Sequence, residues 1–219
     1  RVGIMVKNEK GEFIPLSGNQ TGALFLEYYI DALKRNHRMP EHPVALKSIV
    51  STDLVRKIAE ANGVALYDTF TGFKFMAEKK NQLEAAGEGH VIWAFEESYG
   101  YMVGDYVRDK DAVTACMLLT EMAAYYASRH MTIYQALGAL YEKYGNYAEK
   151  TLNLIMPGLD GVEKMQNLMK NLREHPLTEI VGEKVVIRKD YADGTLEHVE
   201  TGEKEKLELC NSNVLEYGL

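Results

Sequence analysis

Apolar and polar positions along this chain change period repeatedly, and each change predicts an element. "VALKSIVST", "VALYDTF" and "HVIWAF" are short apolar runs of strand length. They alternate with longer stretches in which apolar residues recur at helical spacing. In "ALFLEYYIDALKRN", Leu24, Tyr28 and Leu33 share a face and basic residues fill the last turn. Ser51, Thr52 and Asp53 form a capping set for the helix "LVRKIAEANG", which Asn62 and Gly63 close. "FKFMAEKKNQLEAAG" predicts a helix ending at Gly87. "DAVTACMLLTEMAAYYASRH" is apolar almost all round, which predicts a buried helix. "TIYQALGALYEKYG" reads as an amphipathic helix, "YAEKTLNLIM" as a strand and "GVEKMQNLMKNLREH" as a helix. At the start, "VGIMVKNEKGEFIPL" predicts a hairpin around its Lys-Gly turn. From about residue 180, "KVVIRKDYADGTLEHV" and "KLELCNSNVLEYGL" alternate around Asp-Gly and Thr-Gly turns.

Strands alternating with helices predict an α/β fold, a layered sheet of largely parallel strands with helices on both faces. The C-terminal alternation predicts a β-hairpin or edge-strand appendage. The expected divisions are a connecting hairpin over 1–18, an α/β domain over 19–180 and a β-rich segment over 181–219.

Composition narrows the function. The 219 residues are 46% hydrophobic and 26% charged, as in ordinary globular proteins. A net charge of −7 gives a nucleic-acid partner no electrostatic support. Cys116 and Cys210 have neither metal-type spacing nor a disulfide framework, which points to a reducing cytoplasm. No apolar run is long enough to span a membrane, and no signal-peptide pattern opens the chain. It opens without Met, inside a strand pattern, as expected of a piece of a longer protein.

In open α/β sheets ligands bind beyond the carboxyl ends of the strands. Three loops fall there: "STD", "TFTG" and "FEESYGYMVGDYVRDKD". A carboxylate accepts from two vicinal hydroxyls and a Ser donates or accepts, so Glu96, Glu97 and Ser98 make a clamp for a polyol. Arg108 and Lys110 are cationic donors suited to phosphate or proton transfer. Gly100 and Gly104 permit close approach of backbone to a ligand. Plainer roles compete: Asp111 suits a helix N-cap, Thr71 precedes a helix and could cap it, and Trp93 lies in a core-like run. The six His show no metal spacing, and Ser98 has no His/Asp partner for a hydrolase triad.

In order along the chain, "SGNQTGALFLEYYI", "TFTGFKFM" and "FEESYG…GDYVRDKDAV" resemble the third domain of the α-D-phosphohexomutase superfamily, the bacterial phosphoglucomutases and phosphomannomutases. The terminal "SNVLEYGL" resembles the lead into that family's fourth domain, and "RVGIMVKN" resembles the segment after its metal loop, with Arg1 as the loop's last residue. The resemblance implies a four-domain enzyme interconverting hexose 1- and 6-phosphates through a bisphosphate and a phosphoserine. It implies Mg²⁺ on second-domain carboxylates and glucose 1,6-bisphosphate as activator, with phosphoserine, metal site and phosphate clamp outside these residues. The implied partners are a hexose phosphate and the other domains of the same chain, in the cytoplasm, with no nucleic acid and no membrane. By position it implies that Glu96 and Ser98 hold sugar hydroxyls, that Thr71 and Gly72 form a second sugar loop, and that Lys110 is the general acid/base. Phosphomannomutase-type members carry His where this chain has Gly100, and some members carry His where it has Phe73, which favours the phosphoglucomutase reading. A phosphomannomutase, a phosphopentomutase, a glucose-bisphosphate synthase relative and a non-catalytic metabolite-binding module are the alternatives. The 219 residues alone are expected to be inactive.

Overall fold

The computed structural model describes the chain apart from Asp105 and Leu159. Packing divides it into two compact units, Arg1–Glu149 and Lys150–Leu219.

The first unit opens with the expected hairpin. Strands β1 (Met5–Lys7) and β2 (Phe13–Pro15) pair antiparallel, Met5 opposite Pro15. Helix α1 (Gly18–Arg35) comes next, its start fixed by a capping box: the Gln20 N–H donates to Ser17 Oγ at 3.1 Å, and Gln20 Oε1 accepts from the Ser17 N–H at 3.0 Å. Then come β3 (Pro43–Ser48), α2 (Leu54–Asn62), β4 (Ala65–Thr69), α3 (Phe73–Ala86) and β5 (His90–Glu96). A short β6 (Gly100–Val103), α4 (Ala112–Ala127) and α5 (Ile133–Tyr144) complete the unit.

The sheet order is β4-β3-β5-β6. β3 runs parallel to β4 and β5, and β6 returns antiparallel to β5. Strand alternation divides the core in two. Val44 and Leu46 of β3, Val91 and Ala94 of β5 and Met102 of β6 pack against Phe73, Met76 and Leu83 of α3. On the other face Ala45, Phe95, Tyr101 and Val103 pack against α1, α2, α4 and α5. A bulge shifts the register so that Val44 faces Val91 while Ala45 faces Trp93; Ile92 and Trp93 therefore both lie in the larger cluster. Trp93 is fully buried core.

Three expectations need correction. The segment after β5 is not one loop, because "GYMV" forms β6 and pairs Glu96 with Gly100. Gly100 as its first residue and Gly104 just after it mask a strand only four residues long. Helix α4 is buried on one face only: Val113 is 80% and Met117 60% exposed. The sequence "YAEKTLNLIM" forms no strand; Leu152, Leu154 and Ile155 are exposed, and alternation without a neighbouring ladder leaves the backbone unpaired.

The second unit holds α6 (Gly161–Glu174) and the strands β7 (Glu179–Ile180), β8 (Glu183–Lys184), β9 (Ile187–Asp190), β10 (Thr195–His198), β11 (Glu203–Lys206) and β12 (Leu215–Gly218). The last four form an antiparallel sheet, ordered β11-β10-β9-β12, so the C-terminal strands build a sheet of their own. Arg173 of α6 grips Asp190 of β9 with two nitrogens, at 2.7 and 3.0 Å.

Candidate functional site

The site forms where β4 and β5 end. After Thr69 the chain turns through Phe70, Thr71 and Gly72 into α3. Gly72 has φ +113° and ψ 128°, a conformation that only a residue without Cβ adopts readily. This turns its N–H towards Glu96 Oε1, 3.0 Å away. Glu96 is the last residue of β5 and is 5% exposed. Its second oxygen, Oε2, is buried and has no hydrogen-bond partner among the described residues.

Opposite Glu96 stands Gly100. A Cβ there would lie 2.9 Å from Phe73 Cε2, 3.0 Å from Lys110 Cδ and 3.1 Å from Glu96 Oε2. The three side chains therefore converge on one point, which a bare glycine leaves open. Lys110 Nζ lies 4.8 Å from the centroid of the Phe73 ring and 3.0 Å from Asp109 Oδ1. Burial pushes the Asp109 carboxyl up, but the Lys110 side chain and N–H outweigh it and hold it below the usual range. Asp111 caps α4 through the N–H groups of Val113 and Thr114, and hydrogen bonds from the Thr114 hydroxyl and those amides depress its pKa.

The adjacent acid does a different job. Glu97 Oε2 accepts from Ser48 Oγ at 2.9 Å and Ser51 Oγ at 3.3 Å, and the Glu97 N–H donates to Ser51 Oγ at 3.1 Å. Through Oε2 and its backbone N–H it anchors the β5–β6 turn to the end of β3. Tyr99 completes the turn at φ 66°, its carbonyl accepting from the Val2 N–H at 3.0 Å. Ser98 sits between them, half-buried. The start of α1 closes the turn from below, where a Cβ on Gly18 would fall 1.8 Å from the Glu97 carbonyl oxygen.

Lys47, which the sequence pattern did not single out, is 2% exposed beneath this turn. Its Nζ contacts Asp68 at 3.1 Å and Asp53 at 3.3 Å, and donates to the carbonyls of Ser51 and Ser48 at 3.1 and 3.3 Å. A buried ammonium needs such a full set of acceptors. Its only sequence signal is a lysine inside an apolar strand run.

Gly72, Glu96 and Lys110 thus come together, with exposed Thr71 beside Gly72. Thr71 does not cap α3, whose N-cap is Gly72 without a side-chain bond. Arg108 is held elsewhere: its Nη2 meets Glu84 Oε2 at 3.2 Å, about 18 Å along α3 from Gly72 at 1.5 Å per residue. Glu84 also takes the buried ammonium of Lys80. Arg1 is exposed. Among the described residues no three His, Cys, Asp or Glu side chains gather as a metal-holding group, and no helix is long and apolar enough to cross a membrane.

Residues 17–144 match the family described as phosphoglucomutase/phosphomannomutase, alpha/beta/alpha domain III. The chain is 32% identical over 215 residues to the phosphoglucomutase of Staphylococcus aureus strain N315, covering 98% of this chain and 38% of that protein. The phosphoglucomutase of strain MSSA476 matches to the same extent. The chain thus spans well under half the length of the curated relatives it matches. Among solved structures, parafusin, a phosphoglucomutase from Paramecium, superposes with a TM-score of 0.56 at 19% identity over 92% of this chain and 32% of its own. An N-acetylglucosamine-phosphate mutase of the α-D-phosphohexomutase superfamily gives 0.50 at 11% identity, over 78% of this chain and 38% of its own. At those identities the structural likeness shows the fold. With the family match spanning more than half of the chain, the protein belongs to the phosphoglucomutase/phosphomannomutase family and carries its domain III.

Proposed function

We propose that this chain is the sugar-recognition part of a phosphoglucomutase-like enzyme, which interconverts hexose 1- and 6-phosphates through a bisphosphate and a phosphoserine supplied by another domain. The observation that carries the reading is the state of Glu96. One carboxylate oxygen is fixed by the Gly72 N–H, and the other is buried, unpartnered and next to Lys110. A buried carboxylate oxygen without a donor is costly, and a sugar hydroxyl is a donor of the right kind. In this reading half-buried Ser98 and exposed Thr71 take further hydroxyls, and Lys110 is the proton carrier. The lack of room for a side chain at Gly100 supports a lysine-based site over one that places a ring there. Mg²⁺ held by other domains would supply charge neutralisation during phosphoryl transfer, with glucose 1,6-bisphosphate as activator. Arg108 would join the phosphate only by leaving Glu84. The enzyme would work in the cytoplasm.

The test is made in the full-length enzyme with glucose 1-phosphate. Lys110→Met should lower kcat by about 10²–10⁴, the range for a lost general acid/base. Glu96→Gln should raise KM and lower kcat/KM by about 10- to 150-fold, as for a lost hydrogen bond to a charged acceptor. Full activity in both variants would leave a non-catalytic metabolite-binding module as the better description. The 219 residues alone should show no turnover.

A further inference from the structure

A cavity of about 310 Å³ opens among the C-terminal halves of α1, α2, α4 and α5. From Gly18, beside the Glu97 carbonyl, to Lys34, in the cavity wall, α1 runs about 24 Å at 1.5 Å per residue. The volume is at the lower end of small-molecule sites, about 300–1,000 Å³. Tyr125, Tyr126 and Met131 give the cavity an apolar wall.

The charges in this cavity are unevenly matched. Both lining carboxylates are engaged: Glu27 holds Lys143 at 2.7 Å and the Tyr144 hydroxyl at 2.9 Å, while Asp31 holds Arg35 at 2.7 Å and the Tyr125 hydroxyl at 2.8 Å. Lys34 donates to the neutral Asn62 Oδ1 at 2.7 Å. The Arg129 guanidinium lies 3.7 Å from the Tyr125 ring centroid, and that of Arg35 lies 4.3 Å from the same centroid. One phenol therefore carries two like-charged groups. Among the described residues neither Lys34 nor Arg129 has a carboxylate within ion-pair distance. Complementing a helix dipole accounts for Lys34 and Lys143, which stand in last turns. It does not account for Arg129, which stands beyond α4 and is stacked on Tyr125. In a chain of net charge −7, two carboxylate-free cations on one concave aromatic surface are a place for an anion.

We propose that this cavity is a second binding site, independent of the strand-end site, for a small phosphate monoester with a ring body. Lys34 and Arg129 take the phosphate, the arginine through its planar fork of donors. The wall of Tyr126 and Met131 takes the ring. Bare phosphate fills too little of the space to reach that wall and binds more weakly.

Phenyl phosphate and inorganic phosphate are titrated into the 219-residue chain at fixed ionic strength, with tyrosine-labelled NMR and calorimetry as readouts. Phenyl phosphate should shift Tyr125 and Tyr126 with a Kd of about 1 mM, near −4 kcal/mol. The Lys34→Gln/Arg129→Gln double variant should weaken it at least about tenfold. Arg129→Gln alone, at an exposed residue outside the helices, keeps the fold and should still weaken it several-fold. Glu96→Gln should leave this binding unchanged. The proposal is overturned if no saturable shift occurs, or if either cation variant binds as tightly as the parent. It is equally overturned if the calorimetric binding signal vanishes with Glu96→Gln. Equal affinity for inorganic phosphate would remove the ring-bearing ligand from it.

Discussion

Replacing Gly100 by Ala adds one methyl group where Phe73, Glu96 and Lys110 meet. The backbone of Gly100 is not in the left-handed region, so the effect is spatial. The new carbon would stand 2.9–3.1 Å from three side-chain atoms, each closer than ordinary van der Waals contact. Phe73 is 3% exposed and wedged in the core with Met76 and Met102, so its ring cannot recede. Glu96 is fixed by Gly72, which leaves half-buried Lys110 to move. Overpacking costs about 1–3 kcal/mol. The loss of unfolded-state freedom returns about 0.4–1 kcal/mol, so the net destabilisation lies between about 0 and about 2.6 kcal/mol and centres on about 1.3 kcal/mol. Urea unfolding should show a lower midpoint with an unchanged slope. Phe73's ring current should shift the Lys110 methylene resonances upfield in the parent and release them in the variant. A variant at least as stable as the parent, with Lys110 unmoved, would refute the packing argument.

Gly138→Ala offers the contrast: it lies inside α5 with nothing within 4 Å of an added Cβ, so it should raise stability by about 0.5–1 kcal/mol in the same urea assay. Ser17→Ala breaks the capping box of α1 and should cost about 1 kcal/mol, read as a fall in the unfolding midpoint. Burial, then the nearby Glu27, pushes the Tyr126 phenol up from 10.0 to about 12. The unfolded phenol ionises first as pH rises, so the stability linked to Tyr126 is complete below about pH 10 and is lost by about pH 12. Burial raises Tyr28, Tyr101, Tyr125 and Tyr144 as well, so phenolate absorbance tracked through alkaline titration should show a late-ionising group of tyrosines, and Tyr126→Phe should remove one phenol from it.

The layered fold was legible because strand and helix periods differ and the parallel strands read as short apolar runs. "VALYDTF" and "HVIWAF" gave β4 and β5 within a residue or two. What failed were statements that depend on neighbours. The apolar surface of α4 did not reveal that Val113 and Met117 would lack a covering element. Residues 147–156 alternate like a strand but find no ladder. Around the site, the order of the loops predicted which strand ends carry polar groups, and Asp111 was readable as a cap. The division of labour between Glu96 and Glu97 was not, because it depends on serines nearly fifty positions away. The contact of Arg108 with Glu84 likewise joins segments that no local pattern connects.

Helix α1 has both tips in use, which places it to act as a lever. Its first residue abuts a peptide oxygen with no clearance for even one carbon, while its final turn lines a chamber at the other rim. Over a rod of about 24 Å, a tilt of about 2.4° about the far tip would swing the near tip by about 1 Å. Slippage on that scale is enough to blunt an aligned set of reacting groups. Substitutions under the middle of α1, remote from any hydroxyl-binding atom, should therefore alter how well the turn at Glu97 is seated.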